Sequence, residues 1–178
     1  LDEADLMFDM GFLPDVRRIL GHLPAKRQTL LFSATMPEPI RRLANDILKD
    51  PVTVQIAPST PVETVSHAIY PVRDHLKMRL LLKLLDNLEK DSVLIFTRTK
   101  MGAEELAEQL TRSGHAAACL QGDLDQRERQ SAMEGFRSGK HPLMVATDLA
   151  SRGIDVSTIS HVINYDLPGT VDAYTHRI

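Results

Sequence analysis

Beyond residue 90 the chain repeats short apolar runs, each followed by enough residues for one helix. The runs are Val93-Leu94-Ile95-Phe96, Ala116 to Leu120, Leu143-Met144-Val145-Ala146 and His161-Val162-Ile163-Asn164-Tyr165. Runs this short and continuously apolar suit strands buried on both faces, and strands alternating with helices imply a parallel sheet covered on both sides. The intervening segments read as helices. Asp74 to Leu88 carries Leu76, Leu80, Leu84 and Leu88 at helical spacing. The next helix buries Ala103, Leu106, Ala107 and Leu110 and exposes Glu104, Glu105 and Glu108. Asp125 with Glu128 three residues on suits a capping box. Ser66 to Val72 reads as one further strand. The fold class expected is α/β.

A first block precedes this pattern. Gln28 to Ser33 reads as a buried strand and Val52 to Ile56 as a short one. Between them lies a helix that opens on Pro37 and Glu38 and repeats Ile40, Leu43, Ala44, Ile47 and Leu48. Ala57-Pro58-Ser59-Thr60-Pro61-Val62-Glu63-Thr64, rich in proline and hydroxyl residues, has linker composition. The expected organisation is a first domain over 1–57, a linker over 58–65 and a second domain over 66–178.

Composition sets the remaining limits. With 43% hydrophobic and 25% charged residues in 178, the chain has the make-up of a soluble globular protein. Its longest leucine runs are interrupted by Lys83 and Asp86, so no membrane span is expected. No charged-then-apolar leader opens the chain as given, and a cytoplasmic location is expected. The formal net charge of −3 excludes a globally basic surface, so any nucleic acid must be held by local donors and helix ends. Cys119 is the sole cysteine, which rules out an intramolecular disulfide and a cysteine-based zinc site. Its small apolar neighbours mark it as a strand thiol.

The polar strings fall where strands end and helices begin, the edge at which such sheets bind ligands. Asp2-Glu3-Ala4-Asp5 places carboxylates where an anchor for nucleotide-bound magnesium and a group orienting the attacking water would sit. Taken alone, a solvated acidic turn is the commoner reading. Ser33-Ala34-Thr35 offers two hydroxyls that could hydrogen-bond Asp5, or simply cap the next helix. Thr99, at a helix start, suits either a phosphate contact or a cap. Gly122 allows close backbone approach. Arg129 has the reach to meet a phosphate or to form a surface ion pair. The stretch Thr147-Asp148-Leu149-Ala150-Ser151-Arg152-Gly153-Ile154-Asp155 combines polar groups that a packed core does not call for. There Thr147 suits phosphate and Asp155 a ribose hydroxyl. Tyr174-Thr175-His176-Arg177-Ile178 reads as an ordinary helix end.

Taken in order, the strings LDEAD, SAT, LIFTRTK, QGDLDQRER, ATDLASRGIDV, VINYDLP and YTHRI resemble the DEAD-box family of superfamily 2 RNA helicases over essentially the whole chain. LMFDMGFLPDVRRIL, LPAKRQTLLFSATMP and FTRTKMGAEELAEQL are most similar to its bacterial RhlE-type branch. The resemblance implies two RecA-like parallel-sheet lobes, the first represented only by its C-terminal part. It implies ATP and Mg2+ bound between lobes and single-stranded RNA, or a short duplex, gripped without sequence preference. By position, Asp2 would hold magnesium through water and Glu3 would activate the hydrolytic water. Asp5, Ser33 and Thr35 would couple hydrolysis to lobe closure. Asp155 would touch the ATP ribose, with Arg152 at the face between lobes. Thr99, Gly122, Arg129 and Thr147 would grip RNA phosphates and sugars.

The family's phosphate-binding loop, adenine-reading motif and arginine fingers are absent from these 178 residues. The chain opens on a motif at Leu1, so an internal piece of a longer protein is expected, unable by itself to hydrolyse ATP or unwind RNA. Its first block is expected to fold poorly alone. The alternatives are a superfamily 2 motor acting on DNA, disfavoured by Ala4 and the hydroxyl-rich Ser33-Ala34-Thr35, and a non-catalytic RNA-binding remnant, which would have no use for Asp2 and Glu3. A metal phosphoesterase lacks a histidine or further acid at ligand spacing. Nothing in the sequence names a protein partner, whether the ribosome or RNA-degradation machinery.

Overall fold

A computed structural model describes residues 1–9, 11–55, 65–88, 92–151, 154, 159–175 and 177. The chain divides into two compact units, Leu1–Pro58 and Ser59–Ile178.

The second unit is built on a parallel sheet of β1 (Val93–Thr97), β2 (Ala117–Leu120), β3 (Leu143–Thr147) and β4 (His161–Asn164), in the order β2-β3-β1-β4. Side chains alternate across a strand, so each central strand serves two cores. Val93 and Ile95 of β1, with Leu143 and Val145 of β3, point to one face. There they pack against Leu81 and Leu85 of the helix Lys77–Asn87 and Ala103, Leu106, Ala107 and Leu110 of the helix Lys100–Arg112. Leu94, Phe96, Met144 and Ala146 point to the other face, against Met133 and Phe136 of the helix Gln126–Arg137. Every residue of β1 and β3 is buried, which explains their unbroken apolar sequence. The capping box forms as expected: Asp125 accepts from the Arg127 and Glu128 amides, and Glu128 accepts from the Asp125 amide.

One helix turns a different face inward. Asp74–Leu76 is a 3-10 turn, and the helix from Lys77 to Asn87 buries Leu81 and Leu85. Leu76 is exposed, and Leu80 and Leu84 are half-buried. The leucine run satisfies two helical phases at once, and packing against β1 selects the phase. The segment 66–72 forms no strand: Ile69 and Tyr70 face solvent.

The first unit contains helices Ala4–Asp9, Leu13–Gly21 and Glu38–Ile47. Ile40, Leu43 and Ala44 of the last are buried together with Ala4 and Val16. The strands expected at 28–33 and 52–56 are not assigned among the described residues. Residues 30–32 instead run beside the start of the chain, exchanging Leu1 N to Leu30 O, Phe32 N to Leu1 O and Ala4 N to Phe32 O bonds. Leu30 and Phe32 remain exposed, as do Val52 and Val54. β-propensity in these runs finds no sheet face to bury against.

Candidate functional site

In the first unit the acidic segment and Ser33-Ala34-Thr35 are joined by hydrogen bonds. One Asp5 carboxylate oxygen accepts from the Thr35 amide at 2.8 Å and from its hydroxyl at 2.9 Å. The Asp5 amide donates to Ser33 Oγ at 3.1 Å, and that hydroxyl donates to the Thr35 carbonyl at 2.7 Å. Asp5 is buried, so these bonds replace the water its carboxylate gives up. Asp2 and Glu3 are exposed. The Glu3 amide donates to Asp2 Oδ1 at 2.9 Å, and Glu3 has φ of +49°, a left-handed backbone uncommon for a residue with a Cβ.

In the second unit the expected residues gather at the C-terminal ends of the strands. Thr97 and Thr147 are register partners at the last rung between β1 and β3, and both are buried. Thr99, two residues beyond β1, caps the next helix by accepting from the Gly102 amide at 3.0 Å. A Cβ on Gly122 would lie 3.2 Å from Lys100 Cε, so glycine lets the turn after β2 pass close to Lys100, which pairs with Asp123. Gln121 is buried between Glu104, to which its amide donates, and the Asp123 amide. The Arg129 guanidinium donates to the Ala150 carbonyl at 2.7 Å and so reaches the helix Asp148–Ser151 that follows β3. Arg152 and Asp155 lie outside the described residues.

The sequence reading missed a polar cluster at the same edge. Arg177, read as part of an ordinary helix end, is 6% exposed. Its guanidinium donates to both Asp148 carboxylate oxygens at 2.5 and 2.8 Å, to Asn164 Oδ1 at 2.6 Å and to the Asp166 carbonyl at 2.9 Å. It also lies 4.5 Å from the centroid of the Phe96 ring. Asp166 accepts from Lys77 Nζ at 2.6 Å and from the Arg98 amide at 3.0 Å. Burial alone would raise the Asp166 carboxyl. The Lys77 hydrogen bond, the Arg98 N–H and the charges of both residues outweigh it and hold the group below its ordinary value. The available signal was Asn164 closing an apolar strand with Asp166 two residues on.

Cys119 is half-buried, and its thiol is pushed up to about 11 by burial and, secondarily, by the Glu104 carboxylate. A thiol so protonated is a structural group. Among the described residues no cluster of three metal-ligating side chains occurs, and no helix is long and apolar enough to cross a membrane.

The family model described as helicase conserved C-terminal domain matches residues 76–178, more than half of the chain, and that for DEAD/DEAH box helicases matches residues 1–43. The chain belongs to the DEAD-box helicase family. DEAD-box ATP-dependent RNA helicase RhpA of Helicobacter pylori is 45% identical over the whole chain, which covers 36% of that relative. DEAD-box ATP-dependent RNA helicase CshA of Geobacillus kaustophilus is 44% identical over the whole chain, which covers 38% of it. The chain thus spans little more than a third of the length of these relatives. Among solved structures, S. cerevisiae Dbp5 bound to RNA and ADP BeF3 superposes with a TM-score of 0.80 at 33% identity. That match covers 99% of this chain and 48% of Dbp5. The parallel sheet with helices on both faces is accordingly the RecA-like α/β fold of DEAD-box helicases.

Proposed function

We propose that the chain is part of an ATP-dependent RNA helicase that couples ATP hydrolysis between two RecA-like lobes to RNA binding and local duplex opening. In this reading residues 1–57 are the C-terminal part of the first lobe, 58–65 a linker and 66–178 the second lobe. The observation that carries it is the Asp5 carboxylate held by both the amide and the hydroxyl of Thr35. Bonds of this kind make the position of the acidic segment felt at Ser33-Ala34-Thr35, as coupling requires. Relatives bearing the helicase name and the RNA-bound Dbp5 structure support the same reading.

Within it, Glu3 orients and deprotonates the attacking water, and its exposed, left-handed placement beside Asp2 presents both carboxylates to solvent. Asp2 fits a water-mediated magnesium contact: it is a hard oxygen donor with Oδ1 engaged by the Glu3 amide. A single carboxylate suits an ion that arrives with ATP phosphates, whose negative charge it neutralises. Thr99, Gly122, Arg129 and Thr147 contact RNA phosphates and sugars, while Asp155 and Arg152 meet the nucleotide. Contacts of that kind position a strand without reading its bases. The RhlE-type resemblance of the motif flanks supports a bacterial place within the family. A cytoplasmic location fits an RNA substrate.

The test is ATP turnover by the longer protein that carries this chain, with single-stranded RNA or DNA as stimulant and Glu3→Gln as control. RNA-specific stimulation that disappears in Glu3→Gln, with RNA binding retained, is expected. Equal stimulation by DNA would make the protein a DNA motor. RNA binding without turnover would make it a binding module.

A further inference from the structure

We propose that Arg177 is a positioning residue that locks the strand-end loops bearing Thr99 and Thr147 into one RNA-facing edge, an assignment that rests on the RNA reading above. Its partners come from separate segments. Asp148 follows Thr147 directly at the end of β3, Asn164 ends β4, Asp166 lies just beyond β4, and Phe96 is in β1. Two further bonds extend the lock. The Asp166 amide donates to the Phe96 carbonyl at 3.1 Å, and the Asp166 carboxylate accepts from the Arg98 amide at 3.0 Å. From the guanidinium, the backbone beside Thr99 is therefore reached through Asp166, and that beside Thr147 through Asp148.

The chemistry favours positioning over simple packing. Burying a guanidinium is costly unless its donors are paired, and an apolar side chain of similar size would fill the gap between strand ends with less desolvation. A planar fork that pairs bidentately with one carboxylate and also reaches an amide oxygen and a carbonyl fixes mutual orientation, which no apolar residue does. At 6% exposure, Arg177 has its charge spent on protein groups, so it acts on RNA through the loops and not by touching phosphate.

The experiment compares the longer protein that carries this chain with its Arg177→Lys variant, which keeps the charge but cannot make the fork. Amide hydrogen exchange is read by NMR, and affinity for a single-stranded oligouridine is read across a salt series. Exchange at Arg98 and Asp166 is expected to speed up about tenfold while Ile95 and Val145 in the sheet core stay protected. RNA affinity is expected to fall about fivefold, with an unchanged slope of log affinity against log salt. Arg177→Gln removes the charge, and a slope reduced by about 0.7 in that variant would mean that Arg177 neutralises a phosphate itself and would overturn the proposal. Unchanged exchange at Arg98 and Asp166 would overturn it too. Asp148→Asn, which leaves the arginine in place and removes the ion pair, is expected to give the same two results, and decides the matter if Arg177→Lys does not fold. If the unaltered longer protein binds no RNA, the RNA reading fails, and the exchange arm by itself supports or overturns the positioning role.

Discussion

At the scale of single residues, Cys119 and Asp166 are both partly buried, yet their acidities move in opposite directions. Cys119 lies in an edge strand with its thiol pushed up to about 11. At pH 8 its thiolate fraction is about 0.001, so alkylation by iodoacetamide is expected to run about 100-fold slower in the folded chain than in urea. Equal rates would show the thiol to be open to solvent. Asp166 is held below its ordinary carboxylate value by Lys77 and the Arg98 amide in spite of burial. Its folded value is lower than its unfolded one, so its contribution is complete above the ordinary carboxylate range. That contribution is lost as pH falls from there through the lowered value. Asp166→Asn is accordingly expected to destabilise the chain at pH 7 and to flatten its acid limb, as read by urea midpoints at a series of pH values. An acid limb as steep as that of the unaltered chain would remove this carboxylate from the account.

At the scale of elements, the helix Gln126–Arg137 shows how tightly local signals and packing are matched. Its start is set by the Asp125 capping box, and its far end meets the loop before β3 at Gly135. A Cβ there would stand 2.5 Å from His141 Cδ2, and the His141 amide donates to the Gly135 carbonyl at 3.0 Å. Among the described residues His141 Nδ1 is buried with no hydrogen-bond partner, so that edge of the ring is held by packing alone. Gly135→Ala is expected to cost about 1–3 kcal/mol by overpacking. Adding His141→Ala should recover much of that loss in a double-mutant cycle of chemical denaturation. Additive losses would show that the clash is relieved elsewhere.

For the whole molecule, the two units differ in how their apolar residues are used. The second unit packs both faces of its sheet, and the inner strands β1 and β3 are wholly buried. The first buries Ile40, Leu43 and Ala44 yet leaves Ile19, Leu30, Phe32, Val52 and Val54 exposed. Fewer buried contacts mean easier local opening. Hydrogen exchange is expected to be at least about tenfold slower at Ile95 and Val145 than at Leu43 and Ala44. Equal protection would mean that the units unfold together.

The parallel sheet, the buried faces of the helices Lys100–Arg112 and Gln126–Arg137, and the Asp125 cap were legible because they depend on periodicity and local hydrogen bonds. The ordered strings that carry the family were legible for the same reason, since each is a contiguous run of residues. The strand readings of 28–33, 52–56 and 66–72 meet no strand among the described residues, because strand propensity does not reveal whether a sheet face is there to receive them. The helix Lys77–Asn87 shows the converse, a leucine run compatible with more than one buried face until β1 chooses between them. Residue chemistry left Ser33-Ala34-Thr35 open between hydrogen bonding to Asp5 and capping the next helix, and folding chose the bonds to Asp5. Of the Arg177 lock the sequence offered only the polar Asn164 and Asp166 at a strand end, because its partners at 96, 148, 164 and 166 are brought to one guanidinium only when the strand ends align. Local chemistry thus belonged to the sequence, whereas long-range pairing of charges required the tertiary structure that removes them from water.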